Sequence, residues 1–364
     1  LWGLLRQLAA WPEPPQVTVF SFDPDDTRRR HPHVEAVPVL VRKGGKIALL
    51  PTVAALYRRL RSLDLLIIGG GALLMDTFRN QALLYTGVAR IARLAGVPVV
   101  YYAVGAGPIE TALGRWLIRD SANRAAFVSV RDRESRDLLK AIGVHRPVAV
   151  VADPAFGLVA PPATTGEMTH GSTGRQTDDG TTDRGIDAAA GGMKAETGGL
   201  LPPRRPGVLR VGISAMPCYS PGLASDGDPD RYRAYVEGMR ALTRGLLAAE
   251  VPSAVEIVYF GTKYPQDVDT AKEILAGMDI EIFTGKDAVD AVGLEAGQGR
   301  RDKRGSKRVW ILDRELPPQA LIALMGELDM LIATRLHALI LATVAGTPSI
   351  GIAYRSKVRA IFAD

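Results

Sequence analysis

Short, almost wholly apolar runs that alternate with longer amphipathic ones restrict this chain more than any other feature. A strand that is apolar on both faces needs cover on both faces. Helices from βαβ crossovers supply it, so the pattern predicts a mainly parallel sheet. In the first half, strands are expected at Val17–Phe22, Leu63–Ile68, Val97–Val104, Ala126–Val130 and Val148–Val151. Helices are expected at Val53–Arg61, Ala72–Leu94, Thr111–Ala122 and Arg133–Ala141. The second half repeats the alternation, with strands at Val208–Ser214, Val255–Phe260, Ile280–Phe283, Val309–Leu312, Met330–Ile332 and Ser349–Ala353. Its expected helices are Asp230–Ala249, Gln266–Ala276, Pro318–Glu327 and Leu336–Ala345. Between the halves, residues 161 to about 206 are rich in Thr, Gly, Asp and Pro without apolar periodicity, and cannot bury enough surface to offset their ordering entropy. The expected organisation is therefore a lobe over 1–158, a flexible linker over 159–207, and a lobe over 208–364 with a basic insertion at about 290–307. The expected fold class is α/β, with two Rossmann-like, doubly wound lobes.

Composition removes several classes. The one cysteine, Cys218, excludes an internal disulfide framework and a cysteine-rich metal site, and a reducing, cytoplasmic compartment is expected. No run of about 18 uncharged apolar residues exists to span a membrane. Leu1 to Ala10 is apolar but short and holds Arg6, so it reads as an amphipathic helix. The chain opens on Leu rather than Met and stops in what reads as mid-helix, so both ends are expected to be cut. The net charge of +6 sits largely in loops (Arg28–Arg30, Arg204-Arg205, Arg300–Arg308), with few aromatic residues between, and no nucleic-acid surface is expected. The basic runs suit anionic head groups, which adds a peripheral contact with the inner face of the membrane to the expectations.

Four segments carry candidate chemistry. Asp64 to Asp76 runs from an apolar strand into Gly69, Gly70 and Gly71 and then an expected helix; it reads as an anion cradle or as a plain tight turn. The spacing is not that of a dinucleotide fingerprint. Asp76 reads as a partner for local backbone donors. In Ser129 to Ser135 a strand delivers Arg131, and Asp132 is placed to cap the next helix. Arg131 can grip a carboxylate or phosphate, or pair with a nearby acid. Asp153 ends a strand before Pro154, as a substrate contact or a turn-former. Thr334 to Ala338 places Arg335 and His337 at a strand–helix junction, with Gly346-Thr347-Pro348 and Tyr354 to Lys357 beyond. There a helix dipole favours an anion, and a histidine can transfer protons. The other histidines (31, 33, 145, 170) lie in loops without metal-ligand spacing, and no metal is expected. No G-x-S-x-G elbow is present.

Taken together, GGGxLLxD at Gly69–Asp76, SVRDxxS at Ser129–Ser135, ADPAF at Ala152–Phe156 and TRLHA…AGTP…YxxK at Thr334–Lys357 resemble the polysaccharide pyruvyl transferase family. The resemblance covers roughly residues 60–157 and 208–362. It implies a two-lobed fold similar to the glycosyltransferase B architecture and no required cofactor. The implied reaction moves a pyruvyl group from phosphoenolpyruvate to two hydroxyls of a sugar, free or lipid-linked, in a cell-surface polysaccharide. The resemblance maps the family's donor-binding arginines and Arg-Leu-His motif onto Arg131, Arg335, Leu336 and His337; with the residue readings above, the catalytic role is expected on His337, Arg335 and Arg131, and substrate contacts from Gly69, Gly70, Gly71, Leu336, Asp153, Thr347 and Lys357. Two departures stand out. The family's opening glycine-rich strand–loop with Asn, Asp and Glu is missing, and Ser214-Ala215-Met216-Pro217 stands where many members carry an arginine. The alternatives are a sugar-nucleotide glycosyltransferase and a non-catalytic glycan-binding module.

Overall fold

Among the described residues, each of two units is built around one main parallel sheet, to which the first unit adds a two-stranded parallel pair and a small antiparallel hairpin. The computed structural model describes residues 1–43, 46–76, 80–158, 200–204, 206–221, 227–249, 254–284 and 308–354. The described residues divide into a unit of Leu1–Gly157 and a unit of Leu158 with residues 200–354. Most of the expected linker, the expected basic insertion and Lys357 lie outside the described residues. The last linker residues are packed, since Leu200 and Leu201 are buried and the Pro202 carbonyl accepts from Arg210 at 3.0 Å.

In the first unit the amphipathic helix α1 (Trp2–Ala9) buries Leu5 and Leu8. A parallel pair, β1 (Thr18–Ser21) and β2 (Glu35–Pro38), is joined by α2 (Pro24–Arg30). Neither β2 nor α2 is among the sequence expectations. A small hairpin, β3 (Arg42–Lys43) and β4 (Lys46–Ile47), precedes α3 (Leu49–Leu60). The main sheet holds β5 (Leu66–Gly69), β6 (Ala72–Leu74), β7 (Val99–Ala106), β8 (Phe127–Val130) and β9 (Ala149–Val150) in the order β5-β7-β8-β9, with β6 also on β7. The crossovers are α4 (Gln81–Leu94), α5 (Ala112–Asn123) and α6 (Arg133–Ala141). Each step moves the same way across the sheet, so right-handed crossovers set these helices along one face. Tyr101, Val104, Ile118, Val128 and Val130 fill the core.

The expected helix Ala72–Leu94 is corrected. Leu73 and Leu74 favour a helix, but Gly70 and Gly71 both take φ of +76° and turn the chain back onto β7. Gly105 N then donates to Gly71 O at 2.8 Å and Gly107 N to Leu74 O at 2.8 Å. Ladder bonds override the local propensity. The helix starts only at Gln81.

In the second unit the sheet order is β12-β13-β11-β10-β14-β15. The strands are β10 (Val208–Ser214), β11 (Ala254–Tyr259), β12 (Ile282–Thr284), β13 (Arg308–Ile311), β14 (Met330–Ala333) and β15 (Ser349–Gly351). The helices are α7 (Pro229–Ala248), α8 (Gln266–Leu275), α9 (Pro318–Gly326) and α10 (Leu336–Ala345). From β10 the chain steps one way through α7 to β11, and from β14 the other way through α10 to β15. The winding therefore reverses between β10 and β14. In doubly wound sheets the crevice beyond the carboxyl ends at such a reversal is where ligands sit. Deep in this sheet Arg210, 2 % exposed, bonds Glu256 at 3.1 Å, as a buried charge must.

Candidate functional site

The carboxyl end of the first unit's sheet is shaped by a bulge in β7. Ala103 has a positive φ of 48°, and the β7–β8 register slips between Tyr101 and Val104. Two serines of the SVRDxxS run satisfy the backbone there: Ser129 Oγ accepts from Ala103 N at 3.0 Å, and Ser135 Oγ from Ala106 N at 2.8 Å. Asp132 caps α6 as its position predicts, accepting from Ser135 N at 2.6 Å.

Arg131 is thereby fixed. Its side chain is only 7 % exposed and gives Nη1 to Asp153 at 2.9 Å. Its Nε is buried without a hydrogen bond among the described residues, the Asp132 carboxylate lying 3.9 Å away. A Cβ on Gly105 would come within 3.2 Å of that Nε, so the guanidinium lies directly against bare backbone. Asp153 also accepts from Ala155 N at 3.0 Å and so does turn-forming and arginine-holding work together.

The glycine triplet adjoins this end of the sheet, yet it does not open a helix. Gly69 and Gly70 meet β7, where a Cβ on Gly69 would stand 2.9 Å from Tyr102 O. The expected helix-terminus cradle at Gly69, Gly70 and Gly71 is therefore not formed, because β6 follows. Asp76 accepts from Glu110 N and Thr111 N, each at 2.8 Å, and from the Thr111 hydroxyl at 2.6 Å. Burial pushes its carboxyl up, but these three donors outweigh burial and hold it below the ordinary range.

The second unit gathers a denser set at the reversal between β10 and β14. Arg335 is the N-cap residue of α10, and no side chain caps that helix end. Its guanidinium is 20 % exposed and grips the fully buried Asp267: Nε reaches both carboxylate oxygens at 2.8 Å and Nη2 one of them at 2.5 Å. Asp267 in turn accepts from Thr262 N at 3.1 Å and Lys263 N at 2.9 Å. These bonds fix Arg335 in one orientation while leaving part of it accessible. Leu336 and the exposed His337 are the first two residues of α10.

Beside them, Ser214 ends β10, opposite Ala333 of β14. Its hydroxyl is buried and hydrogen-bonds nothing among the described residues. Thr334 N donates to Ser214 O at 3.0 Å, and Thr334 Oγ1 shares a 2.9 Å hydrogen bond with the Tyr235 hydroxyl. Met216 N donates to that hydroxyl at 3.2 Å. Burial pushes the Tyr235 phenol well up, so it stays protonated. Asp267, Ser214 and Tyr235 are absent from the sequence-derived set.

Thr347 does not join Arg335 at the head of α10. It stands past the far end of α10, about 15 Å along a ten-residue helix from Arg335, and its hydroxyl donates to Met325 O at 2.6 Å. Among the described residues no three His, Cys, Asp or Glu side chains gather as metal ligands, and no helix is long and apolar enough to cross a membrane.

A sequence profile of the polysaccharide pyruvyl transferases matches residues 1–189 and 257–356, well over half of the chain. The chain belongs to the polysaccharide pyruvyl transferase family. The matched stretches of this family member hold Arg131, Asp153, Arg335, Leu336 and His337, whereas β10 with Ser214 falls between them. No curated protein matches the sequence. Solved structures extend the likeness to the fold. A UDP-GlcNAc 2-epimerase from Methanocaldococcus jannaschii is similar with a TM-score of 0.52 at 9 % identity, over 100 % of this chain and 82 % of that one. The UDP-GlcNAc 2-epimerase from Neisseria meningitidis, bound to UDP-GlcNAc, gives 0.52 at 11 % identity, over 99 % of this chain and 81 % of that one. At such identity the likeness speaks for the fold alone: a mixed α/β chain with parallel sheets, similar to the two-lobed glycosyltransferase B architecture.

Proposed function

We propose that this pyruvyl transferase takes its pyruvyl group from phosphoenolpyruvate and installs it as a ketal on a sugar of a cell-surface glycan. The observation that carries the reading is Arg335, oriented by Asp267 and partly open at the sheet's reversal, with His337 two residues on. Phosphoenolpyruvate bears a carboxylate and a phosphate, which a fixed guanidinium can grip through two bonds. Arg131, whose Nε meets no hydrogen-bond partner among the described residues, is the first unit's own candidate for gripping an anion.

A proton adds to the methylene carbon and leaves C2 cationic. One sugar hydroxyl attacks C2 and loses its proton; a second hydroxyl then displaces inorganic phosphate. In this scheme His337 moves the proton, while Arg335 holds the donor's charges. The solvent-facing position of His337 suits a group that must exchange protons between steps. The acceptor is a glycan sugar, free or lipid-linked, and the reaction calls for no cofactor.

The fold shared with a UDP-GlcNAc-bound epimerase keeps a sugar-nucleotide glycosyltransferase as the competing reading. Thermal melts with phosphoenolpyruvate and with UDP-GlcNAc separate the two. Protection by phosphoenolpyruvate, with phosphate released on adding acceptor glycans, is expected. Protection by UDP-GlcNAc alone would move the chain to glycosyl transfer, and no phosphate release over a broad acceptor panel would favour a non-catalytic glycan-binding module.

A further inference from the structure

Away from the candidate site, α4 and α5 of the first unit enclose an open hollow of about 520 Å³ lined by Arg90, Arg93, Leu94, Trp116, Asp120 and Arg124. Three guanidinium groups face one carboxylate. Arg124 Nε lies 2.7 Å from Asp120 and Arg93 Nη2 3.5 Å from it, and Arg93 Nη1 is buried without a hydrogen bond among the described residues. The hollow is left with surplus positive charge and an unmet donor.

Its rim is apolar and open to solvent. Leu94 is 70 % and Trp116 46 % exposed, and the same helices expose Leu83 and Leu113 further along. Spacings of three, four and seven residues put Leu113, Trp116 and Asp120 on one side of α5, and Leu83, Arg90 and Leu94 on one side of α4. A soluble anion would use the arginines and have no use for the leucines and tryptophan. An anionic bilayer uses both: phosphate head groups meet the arginines, while tryptophan and leucine enter the boundary beneath them.

We infer that the α4–α5 face is a docking surface for an anionic phospholipid membrane, with a lipid phosphate seated among Arg90, Arg93 and Arg124. The inference stands apart from the proposed reaction and from the basic loops, since it rests on this hollow alone.

The test is sedimentation of the full chain with vesicles of phosphatidylglycerol and phosphatidylcholine, against pure phosphatidylcholine. Binding only to the anionic vesicles is expected. The double variant Arg90→Glu/Arg124→Glu should weaken it on the order of tenfold or more. Leu94→Ser/Trp116→Ser should lower the fraction retained at high salt, where the apolar rim carries the attachment. Circular dichroism checks that each variant is folded, and the separate apolar pair keeps the test alive if the charge variant is not. The control Arg231→Glu/Arg233→Glu, on exposed positions of α7, changes net charge equally and should bind as the parent does. Equal weakening by the control, or equal binding to pure phosphatidylcholine, would overturn the assignment. So would inorganic diphosphate raising the melting temperature through Arg90 and Arg124 while no vesicle binds, which would make the hollow a soluble-anion site.

Discussion

The Arg335 guanidinium and the Asp267 carboxylate, 68 residues apart in sequence, meet through three hydrogen bonds of 2.5–2.8 Å at the head of α10. Asp267 is itself anchored by two amides of the loop before α8, so it transmits that loop's position to the arginine. Asp267→Asn should therefore displace the arginine more than it unfolds the chain. A loss of about 10²-fold in kcat/KM for the pyruvyl donor is expected. A melting temperature lowered with kcat/KM unchanged would reduce the pair to a structural tie.

His337 should respond differently. It is exposed on the first turn of α10, so its removal leaves the core intact. His337→Gln is expected to keep the parent melting temperature and lose about 10²–10⁴ in turnover. Undiminished phosphate release would take it out of the mechanism.

Ser214 offers the opposite signature from a packing residue. Its hydroxyl is buried yet bonded to nothing described, so Ser214→Ala should change stability by less than about 0.5 kcal/mol or raise it slightly. If a ligand uses that hydroxyl at the sheet reversal, donor KM should rise several-fold in the same variant. Titrating donor against variant and parent decides the matter.

Ser129 is a purely architectural prediction. Ser129→Ala removes the acceptor for the Ala103 amide at a fully buried bulge, and a loss of about 1–3 kcal/mol is expected in denaturant unfolding. A shift below a few tenths of a kcal/mol would mean the bulge has another support.

Stability should also depend on pH through His31. Burial first, helped by nearby positive groups including His33 and Arg30, lowers this imidazole from 6.5 to about 4. It is 3 % exposed, with the Trp2 ring 4.4 Å away. Between those values the unfolded chain binds a proton that the folded chain does not. Its contribution is then complete above 6.5 and is lost as pH falls toward about 4, with a slope of up to about 1.4 kcal/mol per pH unit. Urea unfolding of His31→Leu across that range should show a flatter profile than the parent.

Local signals made much of this readable beforehand. Asp132 at an N-cap fixed the start of α6, and Gly346 in the left-handed region fixed the end of α10. Both helix ranges agree with the sequence expectation to the residue. Arg131, Arg335 and His337 sit at strand–helix junctions, which announce themselves in composition. The misreading at Ala72–Leu94 came where two glycines, not the leucines after them, decide the path. Asp267 was invisible because its role depends on a partner from a distant βα unit; locally it is one of two acids in a first helical turn. Thr347 belongs to the same motif as Arg335, and the length of α10 sets the two at opposite ends of that helix.

The two serines of SVRDxxS hold the bent strand beside them in shape. A relative stripped of its reaction would need them just as much. The run therefore advertises how a backbone is folded, and a match to it alone is no sign that a relative still carries out a reaction.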